Sequence, residues 1–444
     1  MKGKVLVVAS LLILACQGVL FATGKTEAAP AAPQRQLVIW GEWAAEPNKL
    51  DYMNRIVTDF MKDNPSIKVT YTPYDGEQLG KTLQTMLVSG AGDLPDMAPP
   101  GIEWVKAGWF DPLNPFLDMS KFQPFVETDA TMIIDGKPMG IFFFPVAVDY
   151  EFIGYNPEIF AKVGITVPAD RTFTLDEFVD VVKKINAAGY SVVADGAGNR
   201  DYVGGLIAGP FQLSIAGPDA YLQLAQGEKD WNDPQARATL EYLVKLRDAG
   251  LYSKNYLTMG IDEFHAFFHT KREAAMIMIN TWYTGRAFKA QDQGGQDPSW
   301  HFMMLRYPVA KKGDKSYVLA SVNGGPGILS KSKNKDIAGQ FVRYWQKPKY
   351  AAAWAVLTQS APAVRYADAD IPADLQGTAG TWGWFASELN KTYGGLPGVR
   401  QLINNSPIGA FNDALVQVFN QGLPAGLIGV DKAIELLNNA RQAK

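Results

Sequence analysis

Between Leu37 and Met97 the hydrophobic period switches four times, and this constrains the fold more than any other feature of the chain. Leu37-Val38-Ile39-Trp40-Gly41 is a short continuous apolar run, the signature of a buried strand. From Leu50 to Lys62 the apolar residues Met53, Ile56, Val57 and Phe60 recur at helical spacing, and Asn64-Pro65 stops the pattern. Ile67 to Tyr71 alternates as a second strand, and Gln78 to Ser89 reads as a second helix ended by Gly90 and Gly92. Pro95-Asp96-Met97 opens a third extended element. Strand, helix, strand, helix, strand predicts a parallel sheet with crossover helices.

The pattern changes at Ile141 to Asp149, a long apolar extended stretch, after which a new α/β section begins. Thr174-Leu175-Asp176-Glu177 is a capping box, whose hydroxyl and carboxylate satisfy free amides at a helix start. That helix is expected to run to about Ala188, with Phe178, Val181, Val182 and Ile185 on one face and Gly189 ending it. Pro234 to Ala249 reads as a further amphipathic helix, and Ala274 to Ile279 as a buried strand. Asp336–Gln346, Lys349–Leu357, Ile408–Gln421 and Asp431–Ala443 read as helices, and no repeat of fixed period is evident.

Apolar residues at 47% and charged residues at 20% suit a globular chain with a large core. A net charge of −3 gives no reason to expect nucleic-acid binding. The amino terminus reads as an export signal over residues 1–22: Lys2 and Lys4 precede the apolar run Val5 to Ala15. Residues 23–36 are small, polar and Pro/Ala-rich, as in a flexible leader or tether. The one cysteine, Cys16, has two readings. Ile13-Leu14-Ala15-Cys16 resembles a lipobox with Cys16 lipidated; alternatively, cleavage after Ala22 removes it. In either case the folded part has no disulfide and no thiol chemistry.

The order of motifs resembles the extracellular solute-binding proteins of family 1, carbohydrate-type receptors of ABC importers related to maltose-binding protein. Four passages carry the likeness: Val38-Ile39-Trp40 with Asn64-Pro65-Ser66-Ile67-Lys68-Val69; Gly92-Asp93-Leu94-Pro95-Asp96-Met97; Tyr155-Asn156-Pro157-Glu158-Ile159-Phe160 with the Thr174-capped helix; and Phe268 to Met276 with Trp282, Gly324-Gly325 and Ser332 to Phe341. The chain departs from the family's Pro-Thr-Trp-Asp-Glu at the capped helix, having Arg171-Thr172-Phe173-Thr174-Leu175-Asp176-Glu177. The resemblance implies an α/β, two-lobed periplasmic-binding-protein-like fold (type II), with the ligand in a cleft between lobes joined by hinge strands. Lobe one is expected over residues 37–145 plus 300–345 and lobe two over 150–295 plus 350–444, with crossings near Val146–Val148, Ser299 and Lys347. It further implies a monomeric exported receptor, in the periplasm or at the outer face of the cytoplasmic membrane. Such a receptor would take a sugar and dock on the permease subunits of an ABC importer.

A sugar presents an apolar ring face and many hydroxyls, so its site needs aromatic plates with carboxylates and amides around them. In this fold the candidates are the residues that follow strands: Trp43 and Glu46 after the first, Glu103 after the Pro-Asp strand, and Asp149 and Tyr150 after the hinge-like strand. Trp282, after the Ala-Met strand, matches a family position that is often a stacking plate. Asn323 and Gly325 lie in a loop whose glycines allow close backbone approach, and Arg365 and Trp384 follow Ser360-Ala361-Pro362. A phosphorylated ligand would want several cations in the cleft, and Arg365 is the visible candidate.

Enzyme readings fare worse. His265 and His269 have a zinc-compatible spacing, but Ala266 stands where the metalloprotease pattern has Glu, and the chain has only three histidines. No phosphate loop, dinucleotide fingerprint or nucleophile elbow is evident, so no cofactor is expected. An exported glycoside hydrolase using paired carboxylates is the alternative.

Overall fold

The computed structural model describes residues 34–442, apart from 91, 135–136, 200–202 and 403–408. The expected export signal, Cys16 and nearly all of the tether lie outside the described residues.

In chain order the principal strands are β1 (Arg35–Gly41), β2 (Ile67–Pro73), β3 (Met97–Ala98), β4 (Phe110–Asp111), β5 (Pro145–Tyr155) and β6 (Ser191–Ala194). They continue with β7 (Ala274–Asn280), β8 (Met303–Leu305), β9 (Val318–Gly324), β10 (Gly327–Leu329), β11 (Ala361–Pro362) and β12 (Gly398–Arg400). One sheet has the order β2-β1-β3-β10-β4, with β1 parallel to β2 and β3. The other has the order β12-β9-β5-β7-β6, with β8 and β11 also pairing to β5. The crossovers are the helices Pro47–Asp63 and Gly76–Ser89, as the periodicity predicts. Met53, Ile56 and Phe60 of the first are fully buried against this sheet. Asp96 ties the first lobe together from within: its carboxylate accepts from the Val38 amide at 2.8 Å, Ser332 Oγ at 2.6 Å and Asn334 Nδ2 at 3.1 Å.

Two strands belong to both lobes. The first part of β5, Val146 to Val148, packs in the core of lobe one, and its last part, Phe152 to Tyr155, packs in the larger core of lobe two. β9 runs antiparallel beside it, from Val318 and Leu319 in the lobe-two core to Val322 against lobe one. These paired crossings are the hinge.

The lobe limits differ from those expected at two places. Trp300, Phe302, Met304, Leu305 and Tyr307 pack in lobe two, because β8 pairs with Ile153 to Tyr155. Helix Pro348–Thr358 packs in lobe one, where Trp354 meets Tyr52 at 5.0 Å between ring centroids. The chain therefore does not cross near Ser299 or Lys347. It crosses along β5, along β9, and between Leu375 in lobe one and Phe385 in lobe two.

The Thr174 capping box is present. Thr174 Oγ1 accepts from the Glu177 amide at 3.3 Å, and Glu177 Oε2 accepts from the Thr174 amide at 2.9 Å, starting the helix Leu175–Ala187. Among the described residues, no helix is long and apolar enough to cross a membrane.

Candidate functional site

Where the lobes face each other they enclose a cleft of about 630 Å³. Lobe one supplies Glu42, Trp43, Glu46, Lys49 and Gly76; lobe two supplies Trp282, Arg286, Asn420, Gln421 and the Ala197–Asn199 turn; the hinge strand β9 supplies Asn323.

On the lobe-one side, β1 runs straight into Glu42 and Trp43, and Glu46 stands immediately before the helix that begins at Pro47. Lys49, one turn on, reaches back so that Nζ lies 2.5 Å from Glu46 Oε2, and both residues are buried. The ammonium also lies 5.8 Å from the Trp43 ring and 5.7 Å from the Trp354 ring, within cation–π range. Trp43 packs at a tilt against Trp354, with 5.6 Å between ring centroids. In this wall Glu46 and Lys49 offset each other's charge.

On the lobe-two side, β7 ends at Asn280 and the chain turns through Thr281–Tyr283 into the short helix Thr284–Ala287. Trp282 and Arg286 are carried on this turn, the guanidinium 5.8 Å from the indole centroid. Arg286 is 9% exposed, and its Nε lies 3.3 Å from Asp262 Oδ1 without the alignment of a hydrogen bond. Asn199 Oδ1 accepts from the Ile261 amide at 2.9 Å and Asn420 Oδ1 from the Gly204 amide at 2.9 Å, which fixes both amide planes. Gly285 meets the opposite lobe: a Cβ there would lie 2.1 Å from Glu46 Oε2. A side chain at that position would keep the lobes apart.

Trp43, Glu46, Trp282 and Asn323, four of the candidates named from sequence, therefore converge on one cleft. Asp149 lies behind its wall. It is fully buried, accepting from Thr281 Oγ1 at 2.9 Å, Ser360 Oγ at 3.4 Å and Asn323 Nδ2 at 2.8 Å. Burial pushes its carboxyl up, against the charge of Lys49 and these hydrogen bonds. Asp149 thus orients the Asn323 amide.

The other candidates lie elsewhere. Tyr150 lines a separate hollow of about 480 Å³ behind the hinge, with Gln359, Tyr366 and Tyr393. Gly325 is a packing glycine, where a Cβ would come 2.8 Å from the Trp345 ring. Glu103 is exposed on the short helix Ile102–Lys106, beyond the cleft lining. Arg365 is tied to the surface of lobe one, its amide donating to Lys121 O at 2.8 Å and its guanidinium to Ser120 O. Trp384 stands on the helix Gly383–Tyr393, stacked on His301 at 4.6 Å and edge-on to Phe302 at 5.0 Å. It is part of the lobe-two packing rather than a plate in the cleft.

Sequence reasoning missed Glu42, Lys49, Arg286, Asn420 and Gln421. Lys49 lies three residues after Glu46 and Arg286 four after Trp282, and that proximity to named candidates was the available signal. His265 and His269 are packing residues. His269 Nδ1 is 2.7 Å from the Tyr283 hydroxyl and its Nε2 3.0 Å from Gly294 O. Burial lowers the pKa of both rings, His269 to about 4, so both are neutral near pH 7. Among the described residues, no cluster of side chains has the makings of a metal site.

Comparison with known proteins agrees with this architecture. A curated relative from Pyrococcus horikoshii, described as an uncharacterised ABC transporter extracellular-binding protein, is 28% identical over 269 residues, 58% of this chain and 59% of the relative. The chain thus spans less than two thirds of the length of the curated relatives it matches. A solved structure from work on xylan utilisation by Caldanaerobius polysaccharolyticus superposes with a TM-score of 0.71 at 17% identity, covering 91% of this chain and 99% of the other. The solute-binding protein RafE of Streptococcus pneumoniae, solved with raffinose, gives 0.63 at 20% identity, covering 91% and 99%. At such identities these two likenesses are of fold. The model of the family described as bacterial extracellular solute-binding protein matches residues 44–352. That is most of the chain, and the protein belongs to the bacterial extracellular solute-binding protein family.

Proposed function

We propose that this protein is the extracytoplasmic receptor of an ABC importer, that it captures a sugar by hinge closure, and that it presents the closed form to the permease. The observation that carries the reading is the pairing of two indoles from opposite lobes, Trp43 and Trp282, around one cleft with Asn199, Asn323, Asn420 and Gln421 in its wall. Aromatic faces suit the apolar side of a pyranose, and planar amides suit vicinal hydroxyls. Closure around such a ligand shifts the population toward one global shape, which a docking partner can read. The raffinose complex of RafE, a neighbour in fold, supports the same ligand class. In this reading the protein acts as a monomer outside the cytoplasmic membrane, held there by a lipid on Cys16 or free after cleavage at Ala22.

The test is thermal unfolding of the mature protein against a panel of sugars and polyols. A ligand of the folded state at a hundredfold excess over its dissociation constant stabilises by about 2.7 kcal/mol. Trp282→Ala should lose most of that shift while keeping its ligand-free midpoint. Consumption of the sugar during the assay would instead identify a glycoside hydrolase.

A further inference from the structure

We infer that the cleft is built for a saccharide bearing one carboxylate, a uronic-acid sugar, and that Arg286 is the residue that grips it. This deepens the receptor reading above and rests on it.

Both cations of the cleft have one carboxylate within ion-pair distance, but the two carboxylates differ in burial. Lys49 is matched by Glu46 at 2.5 Å and faces two indoles. Arg286 is nine-tenths buried, yet among the described residues it makes no hydrogen bond, and its Nε is left without an aligned acceptor. Its one carboxylate neighbour, Asp262, sits at 3.3 Å with its own side chain 68% exposed to water. Its Nε is a buried donor without an acceptor, which is costly, and a planar carboxylate accepting two parallel N–H bonds from the guanidinium is the group that relieves it. The neighbouring wall favours the same sign of charge. Asn420 caps the Gly204 amide at the start of the helix Val203–Ala216, which places the positive end of a fourteen-residue helix beside the cleft.

The position of Arg286 selects the kind of acid. Its guanidinium lies over the Trp282 ring at 5.8 Å, so a sugar packed beside this indole has Arg286 within reach of a substituent of its own ring. A pyranose whose exocyclic carbon is a carboxylate meets both requirements. A phosphate does not fit as well. A dianion wants several cations, whereas here Lys49 is already paired, Arg365 lies outside the cleft, and Glu42 and Asp262 would repel the second charge.

The test is isothermal titration calorimetry at fixed ionic strength with glucuronate and galacturonate, their dimers, the methyl esters of each, and the parent neutral sugars. The mature protein is compared with Arg286→Gln and Arg286→Lys. The expected result is that wild type binds an acid at least about tenfold more tightly than its ester. Arg286→Gln should erase that ratio while still unfolding cooperatively without ligand, and Arg286→Lys should retain part of it. Esters or neutral sugars binding as tightly as acids would overturn the inference and leave the sugar receptor standing, as would an Arg286→Gln variant that weakens acid and ester equally. Binding of no saccharide by a folded wild-type protein would overturn both readings.

Discussion

The two walls of the cleft solve the same problem differently. In lobe one the buried charges are complete before any ligand arrives: Glu46 and Lys49 neutralise each other, and the ammonium lies against Trp43 and Trp354. In lobe two Arg286 has no aligned acceptor, and below the Ala197–Asn199 turn Asp195 is fully buried with Oδ2 unpartnered. The contrast teaches that burial alone does not mark a binding residue. A charge buried together with its partner, as Lys49 is with Glu46, builds the wall; Arg286 has only an exposed partner, and Asp195 has an oxygen with none.

The largest effect should come from breaking the lobe-one pair. Lys49→Met leaves Glu46 buried without a partner and should destabilise the protein by about 3–5 kcal/mol in chemical denaturation. The double variant Glu46→Gln/Lys49→Met should recover most of that loss. A single variant costing under about 1 kcal/mol would show that the pair does not organise the wall.

Asp195 sharpens the other side of the comparison. Burial raises its carboxyl from 3.8 to about 7, opposed by its contacts with Ser253. The folded state therefore holds a proton through a pH range in which the unfolded chain has released it. The stability associated with this proton is complete below pH 3.8 and is lost as pH rises through about 7, a difference of at most roughly 4 kcal/mol. Asp195→Asn should raise the unfolding midpoint at pH 8 relative to wild type, and the gain should shrink toward pH 4.5. A gain independent of pH would mean that the carboxyl is ionised in the fold.

The smallest of the three concerns where the walls touch. Gly285→Ala sets a methyl group 2.1 Å from Glu46 Oε2 unless the pair moves. This overpacking should cost the closed form about 1–3 kcal/mol, weakening sugar binding by roughly fivefold to 150-fold. Small-angle scattering of the ligand-bound variant should then show a less compact molecule; unchanged affinity would place the contact between lobes elsewhere.

Much of the fold was legible in local pattern. β1, the helix Pro47–Asp63 and β2 follow from switches of period, and the Thr174–Glu177 box starts its helix where the side chains require. The pattern fell short where period carries no direction. The helix Val203–Ala216 is apolar on every side because it is enclosed, so no amphipathic face marks it. Trp384 and Trp282 illustrate the limit for the site. Both are indoles near a turn, yet one stacks on His301 within lobe two and the other lines the cleft. Nothing in the flanking residues distinguishes them.

By itself the sequence determined the element order and the α/β class, because hydrophobic period and caps act over a few residues and are written consecutively; the family followed from the order of its motifs. Only the tertiary structure decided the site. Glu46, Trp282 and Asn323 are far apart in the chain and meet because β5 and β9 cross the hinge side by side. It likewise decided that Lys49 is answered by a buried carboxylate, Glu46, and Arg286 by a solvent-exposed one, Asp262, since charge pairing in a buried wall depends on distances of a few ångströms that no local pattern encodes.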